Sequence, residues 1–201
     1  MVLAGPRARA AKTIVQHMRL TGGTMRSRRV AAPKGRAVRP TPSRVKEALF
    51  SMLAPRLADA RVLDLYAGSG ALGFEAISRG AGHVTFVEAS KPTAARIRQT
   101  GMDLGVADRV HVIAGDAARV VGRLHGRYDL VFADPPFAQV LPPGMLETLR
   151  GRGLVDRDSL VVYEHSARMP AAAPEGFTVA REAAYGSVAL TFLQPCAGTS
   201  V

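Results

Sequence analysis

The chain has 201 residues, 47% of them apolar, with 27 basic and 16 acidic side chains and a formal net charge of +11. That length suits one α/β domain with an appendage rather than two full domains. With no run of ~18 apolar residues there is no membrane-spanning helix, residues 1–17 lack the apolar centre of a secretory signal, and the single Cys196 rules out an internal disulfide framework, so a cytoplasmic protein is expected.

The charge is concentrated at one end. Residues 1–46 carry twelve Lys or Arg and no acid, whereas the remainder carries fifteen basic and sixteen acidic residues, so the two parts stand at +12 and −1. A near-neutral domain behind a polycationic leader is the pattern of a protein that holds nucleic-acid phosphates with one segment and does chemistry with another. Residues 1–17, rich in Ala and Arg, read as a disordered extension or as sequence upstream of a start at Met18. Residues 18–46 still hold nine basic groups without them. Residues 18–40 then read as a basic hairpin appendage and residues 41–195 as the main domain.

In chain order, Met18 to Ala32 predicts a small hairpin around Thr21-Gly22-Gly23-Thr24. It carries Arg19, Arg26, Arg28 and Arg29, with Lys34, Arg36 and Arg39 in the loop beyond, and these seven are the candidate RNA-binding residues. A helix follows, with Thr41 as N-cap, Pro42 at its first position, and Val45, Leu49, Met52 and Leu53 at helical spacing. Arg39 and Arg44 flank its N-terminus, which suits an anion or a cofactor carboxylate.

From Arg61 strands and helices alternate. The pattern predicts strands over 61–66, 83–88, 109–114 and 128–133, and helices over 70–79, 91–104 and 117–124. A helix over 143–150 and a strand over 159–164 follow, and 177–183 with 187–193 form a closing antiparallel hairpin around Gly186. This alternation predicts an α/β, Rossmann-like, doubly wound sheet of seven strands, mostly parallel with a C-terminal antiparallel hairpin, plus the small N-terminal β-hairpin.

Asp64-Leu65-Tyr66-Ala67-Gly68-Ser69-Gly70-Ala71-Leu72-Gly73 spans the end of the first of these strands and the start of its helix, where a ligand sits in such a sheet. A lone G-x-G-x-x-G would also suit a dinucleotide. Asp64, however, would repel a pyrophosphate and suits a cationic ligand such as the amino group of S-adenosylmethionine. Glu88, closing the next strand before Ala89, can take both ribose hydroxyls, and Asp116 before Ala117 can bond the adenine amino group or cap its helix.

A fourth strand-end acid opens Asp134-Pro135-Pro136-Phe137. Two prolines make this segment stiff and leave its carbonyls free. Asp134 and those carbonyls can accept hydrogen bonds from an exocyclic amine while Phe137 stacks on a flat base. The four acids would then serve the methionine amino group, ribose, adenine and acceptor amine. Alternatives remain: an amino methyltransferase acting on adenine-N6 or on DNA, a non-catalytic nucleic-acid-binding module, and an NAD-dependent enzyme, which leaves Asp64 and Asp134 unexplained.

The D-x-x-x-G-x-G-x-x-G stretch, the acid closing the second strand and D-P-P-F together resemble the amino-group class of S-adenosylmethionine-dependent methyltransferases. With Arg39-Pro40-Thr41-Pro42-Ser43-Arg44-Val45-Lys46-Glu47-Ala48-Leu49-Phe50 and the Gly22-Gly23 hairpin, residues 18–193 resemble the RsmD family, bacterial 16S rRNA guanine-N2 methyltransferases. The family usually has an acid where this chain has Ser43, and Phe is commoner than Tyr66. The resemblance implies methyl transfer from S-adenosylmethionine, without a metal, to the N2 amine of a guanine in small-subunit ribosomal RNA. The expected partner is RNA within an assembling subunit, and the expected state is monomeric. It also implies Asp134, Pro135, Pro136 and Phe137 at the chemistry, and a cofactor held by Thr41, Arg44, Asp64, Tyr66, Ala67, Gly68, Ser69, Gly70, Gly73, Glu88, Ala89, Asp116 and Ala117.

Overall fold

A computed structural model describes residues 17–31, 43–136, 140–169 and 173–196. Two short strands, β1 (His17–Arg19) and β2 (Arg29–Ala31), pair antiparallel with Met18 opposite Val30. Helix α1 (Ser43–Leu53) follows. The main run is then β3 (Arg61–Asp64), α2 (Ala71–Ser78), β4 (His83–Glu88), α3 (Lys91–Leu104), β5 (Val110–Ala114), α4 (Ala117–Val121), β6 (Leu130–Ala133), α5 (Met145–Gly151) and β7 (Leu160–Ser166). Strands β8 (Phe177–Tyr185) and β9 (Val188–Pro195) close the chain.

Seven strands form one sheet in the order β5-β4-β3-β6-β7-β9-β8. The first five are parallel, and β9 pairs antiparallel with both β7 and β8, the closing antiparallel hairpin that the sequence pattern predicts. The parallel strands are apolar runs because helices cover both faces. Alternation along each strand divides the core in two. Val62, Phe86, Phe132 and Val162 pack with Phe50 of α1, Phe74 of α2 and Ile97 of α3. Leu63, Val87, Val131 and Val161 pack with Val121 of α4 and Leu149 of α5. Leu20, Met25 and Val30 of the hairpin region belong to the first of these clusters.

Local chemistry sets the boundaries. Helix α3 begins where the Ser90 side chain accepts a hydrogen bond from Thr93 N and ends at Gly105 in the left-handed region at φ 74°. Helix α4 stops at Val121, short of the predicted Leu124, because Gly122 and Arg123 turn the chain toward β6. Strand β7 runs two residues past Glu164, since β9 pairs with it as far as Ser166 opposite Val188. In β8 the register shifts between Val179 and Arg181, a bulge that increases the edge strand's twist. Because β3 lies between β4 and β6, and the chain returns to β3's other side only at β6, the carboxyl ends of β3 and β6 flank the switch point at which open α/β sheets bind ligands.

Candidate cofactor cleft and acceptor site

The four acids singled out in the sequence occur along the carboxyl edge in spatial order Asp116, Glu88, Asp64, Asp134, at the ends of β5, β4, β3 and β6. Their surroundings differ sharply.

Asp64 is 1% exposed. Its Oδ2 accepts a hydrogen bond from Gly73 N at 3.2 Å, which ties the strand end to the first turn of α2. Burial, offset in part by that hydrogen bond and reinforced by the Glu88 charge, pushes its carboxyl up to about 7. Glu88 is half-buried and faces the glycine turn. Its Oε2 accepts from Gly68 N at 2.9 Å and its Oε1 from Ser90 N at 2.8 Å. A carboxylate has about four lone-pair sites, so two remain for hydroxyl donors. Asp116 is exposed and caps α4 through a 3.2 Å bond from Arg119 N, as the capping alternative anticipates.

The glycines of the turn do different jobs. A Cβ on Gly68, at φ 53°, would meet only Tyr66 O at 3.9 Å, so this position borders open space. A Cβ on Gly70, at φ 80°, would lie 2.8 Å from the Phe74 ring, and one on Gly73 would overlap Phe86. Gly68 therefore leaves room for a ligand, whereas Gly70 and Gly73 let α2 press on the Phe74 and Phe86 rings, whose centroids are 5.0 Å apart and whose planes are tilted by 38°. Ala67 and Ser69 are buried in the turn, Ala89 is exposed beyond β4, and Ala117 is buried at the start of α4. Tyr66 is half-buried, its hydroxyl 3.9 Å from Met145 Sδ. Burial and the nearby Asp116 and Tyr163 push the Tyr66 phenol up to about 12, so it remains a donor at neutral pH.

Asp134 follows β6, whose Phe132 pairs with Asp64 and whose Ala133 pairs with Tyr163. It is half-buried, Pro135 is buried and Pro136 exposed. Burial, then the Glu164 charge, then the Asp64 charge hold its carboxyl well above the usual carboxylate range. Phe137 lies outside the described residues, as do Thr41, Lys34, Arg36 and Arg39. Arg44 lies in the first turn of α1, exposed. Arg19, Arg26, Arg28 and Arg29 are exposed on the hairpin.

Glu164, only 5% exposed on β7, is a carboxylate the sequence reading passes over. The signal was there: it ends the apolar run Leu160-Val161-Val162-Tyr163, one strand beyond Asp134, just as Asp64 ends Val62-Leu63.

The chain and its fold are similar to those of known proteins. Residues 18–194 match the family model described as conserved hypothetical protein 95. The chain is 32% identical over 179 residues to the ribosomal RNA small subunit methyltransferase D of Escherichia coli, covering 88% of this chain and 89% of that protein. The protein of the same name from Haemophilus influenzae is 32% identical over 180 residues, covering 88% and 93%. Among solved structures, the Escherichia coli protein yhhF superposes with a TM-score of 0.79 at 32% identity, covering 91% of this chain and all (100%) of that one. A hypothetical protein of Thermus thermophilus gives 0.72 at 28% identity, covering 88% and 99%.

Proposed function

We propose, on the premise that the chain belongs to the conserved hypothetical protein 95 family, the RsmD family of ribosomal RNA small-subunit methyltransferases, that it methylates the exocyclic N2 amine of a guanine in small-subunit ribosomal RNA. The observation that carries this reading is the placement of Asp134 beside Asp64 across the β3–β6 switch point, where an acceptor for an amine adjoins a cleft suited to a cationic nucleoside.

The residues present fit S-adenosylmethionine. Gly68 borders open space, Glu88 keeps lone pairs for two ribose hydroxyls, and Asp64, in its ionised form, would with Glu88 counter the charge of a sulfonium and an ammonium group. Asp116, committed to its helix cap, still has acceptor capacity for an adenine amino group. When bound, the cofactor supplies an electrophilic methyl group.

The protein's task is to prepare the nucleophile. The lone pair of a guanine amine is delocalised into its ring. Asp134 and the Pro135 carbonyl, accepting the two amino hydrogens, would turn the nitrogen toward a tetrahedral form with its lone pair directed at the methyl carbon. In-line positioning can supply several kcal/mol of barrier lowering. Transfer would join the amine nitrogen to the methyl group with the sulfur departing as a neutral thioether, and Asp134 or solvent would take the surplus N–H proton. Phe137 would stack on the base, worth about 1–3 kcal/mol for contacts of that kind. The polycationic leader suits RNA phosphates, and rRNA in an assembling subunit in the cytoplasm is the substrate we favour.

The test is transfer of a labelled methyl group to small-subunit particles, naked rRNA and DNA, followed by nucleoside analysis. Label in N2-methylguanosine from particles or rRNA supports the assignment. Label confined to DNA, or to an adenine, refutes it.

A further inference from the structure

We propose that Glu75 is a positioning residue. It clamps the basic hairpin at the amino edge of the sheet, so that the RNA is gripped about one helix length away from the base held at Asp134. This rests on the rRNA methyltransferase reading above and adds a second, fixed point of contact to it.

Glu75 sits in the middle of α2 and is fully buried at 0% exposure, yet every polar group around it leads to the hairpin. Its Oε2 accepts from Thr21 N at 2.8 Å, and its Oε1 from Gly22 N and from the Thr21 hydroxyl, both at 2.8 Å. Two cations complete the set, Arg79 Nε at 2.8 Å and Lys46 Nζ at 3.2 Å. Each cation also reaches the hairpin: Lys46 donates to Arg19 O at 3.0 Å and Arg79 to the Thr21 hydroxyl at 3.1 Å. One turn on, Ser78 extends the clamp. Its hydroxyl donates to Gly22 O at 2.5 Å and accepts from Met25 N at 2.9 Å, while its carbonyl accepts from Thr24 N at 2.7 Å. Buried ion pairs are poor stabilisers compared with apolar packing. Here the carboxylate addresses backbone N–H groups of one turn, which specifies where that turn lies.

That place is far from the chemistry. Helices α2 and α3 start at the carboxyl edge and return to the amino edge, and the hairpin tip meets the last residue of α2. Arg28 donates to Asp103 O at 3.0 Å, in the last turn of α3. A helix of 14 residues spans about 21 Å at ~1.5 Å per residue. Arg26, Arg28 and Arg29 are exposed, and none forms an ion pair among the described residues, so their charge is available to phosphates. A clamped tip presents them without the ordering cost a flexible arm would carry.

Gly23 gives the cleanest way to release the clamp. It sits at φ 75°, and a Cβ there would overlap the backbone carbonyl of Ser78, so Gly23→Ala must undock the tip while touching neither the cleft nor Asp134. The measurements are RNA KM, kcat, cofactor Kd and melting temperature, on particles or rRNA that the unaltered protein methylates. The variants are Gly23→Ala, Glu75→Gln, the triple Arg26→Ala/Arg28→Ala/Arg29→Ala, and Gly23→Ala combined with the triple. Release should raise RNA KM about tenfold with kcat and cofactor Kd unchanged. The triple should then cost far less in the Gly23→Ala background than alone, because contacting groups couple non-additively. An equal penalty from the triple in both backgrounds, or a fall in melting temperature with RNA KM unchanged, overturns the clamp. Should Glu75→Gln fail to fold, the Gly23→Ala cycle decides alone. If the unaltered protein methylates no RNA, the functional reading itself fails; an additive cycle on an active enzyme removes only the clamp.

Discussion

In the proposed reaction Asp134 accepts hydrogen bonds from an amine, yet burial and the charges of Glu164 and Asp64 work against the ionised form that accepts best. Because its carboxyl is held above the usual range, the fraction ready to accept grows as pH rises through that raised value. Single-turnover methyl transfer should therefore increase with pH and level off. Asp134→Asn keeps one acceptor without a titrating proton, so it should flatten this limb and retain more activity than Asp134→Ala, which should lose about 100- to 1000-fold, the usual cost of one pre-organised hydrogen-bonding group. A limb that persists in Asp134→Asn would assign the titration to another group.

Asp64 makes a second prediction at the same scale. Its folded carboxyl is raised from 3.8 to about 7, so between those values the folded state holds a proton that the unfolded chain has released. Asp64 thus lowers stability as pH rises across that window, and its contribution is level above it. A cationic cofactor favours the ionised form, so binding below about pH 7 should release protons and tighten with pH. Calorimetry in buffers of different ionisation enthalpy measures the proton count; no release at pH 6 would contradict the account.

At the scale of elements, the glycine turn matters as a packing device as much as a ligand cradle. Gly73→Ala drives a methyl group into Phe86, and overpacking of this kind costs about 1–3 kcal/mol. The start of α2 should shift with it, pulling Gly73 N away from Asp64. Both the melting temperature and cofactor affinity should fall, as differential scanning fluorimetry with and without cofactor would report; a normal melt with normal affinity would show that the turn tolerates the methyl group.

Much of this layer is legible in the sequence, because short apolar runs ending in acids and separated by Pro or Gly leave few alternatives for the strands, and the helix over 91–104 is bounded by local capping chemistry. Other features depend on neighbours distant in the chain. Whether a glycine serves a ligand or a ring depends on Phe86, thirteen residues beyond Gly73. Lys46 and Glu75 look like ordinary helix-face charges until α1, α2 and the hairpin meet. Gly22 and Gly23 suggest a tight hairpin turn, but the paired strands end at Arg19 and Arg29, and both glycines press against α2 instead.

For the whole molecule, sheet order turns scattered acids into a reaction path. Strands that are first, second, third and fourth in the main run stand in space as third, second, first and fourth, so the acids proposed for adenine, ribose, methionine and the acceptor amine fall in line. The basic hairpin docks on helices α1, α2 and α3 and packs through Leu20, Met25 and Val30 into the core they share. Grip and chemistry are thus parts of one packed body, in keeping with a charge of +12 over residues 1–46 and −1 over the rest. On the proposed reading this body methylates a guanine N2 through Asp134. The most direct measurement is nucleoside mass spectrometry of small-subunit rRNA after reaction with the unaltered protein and with Asp134→Ala in parallel. N2-methylguanosine forming about 100- to 1000-fold more slowly with the second than with the first is the expected result; methyladenosine, or equal product from both proteins, would contradict it.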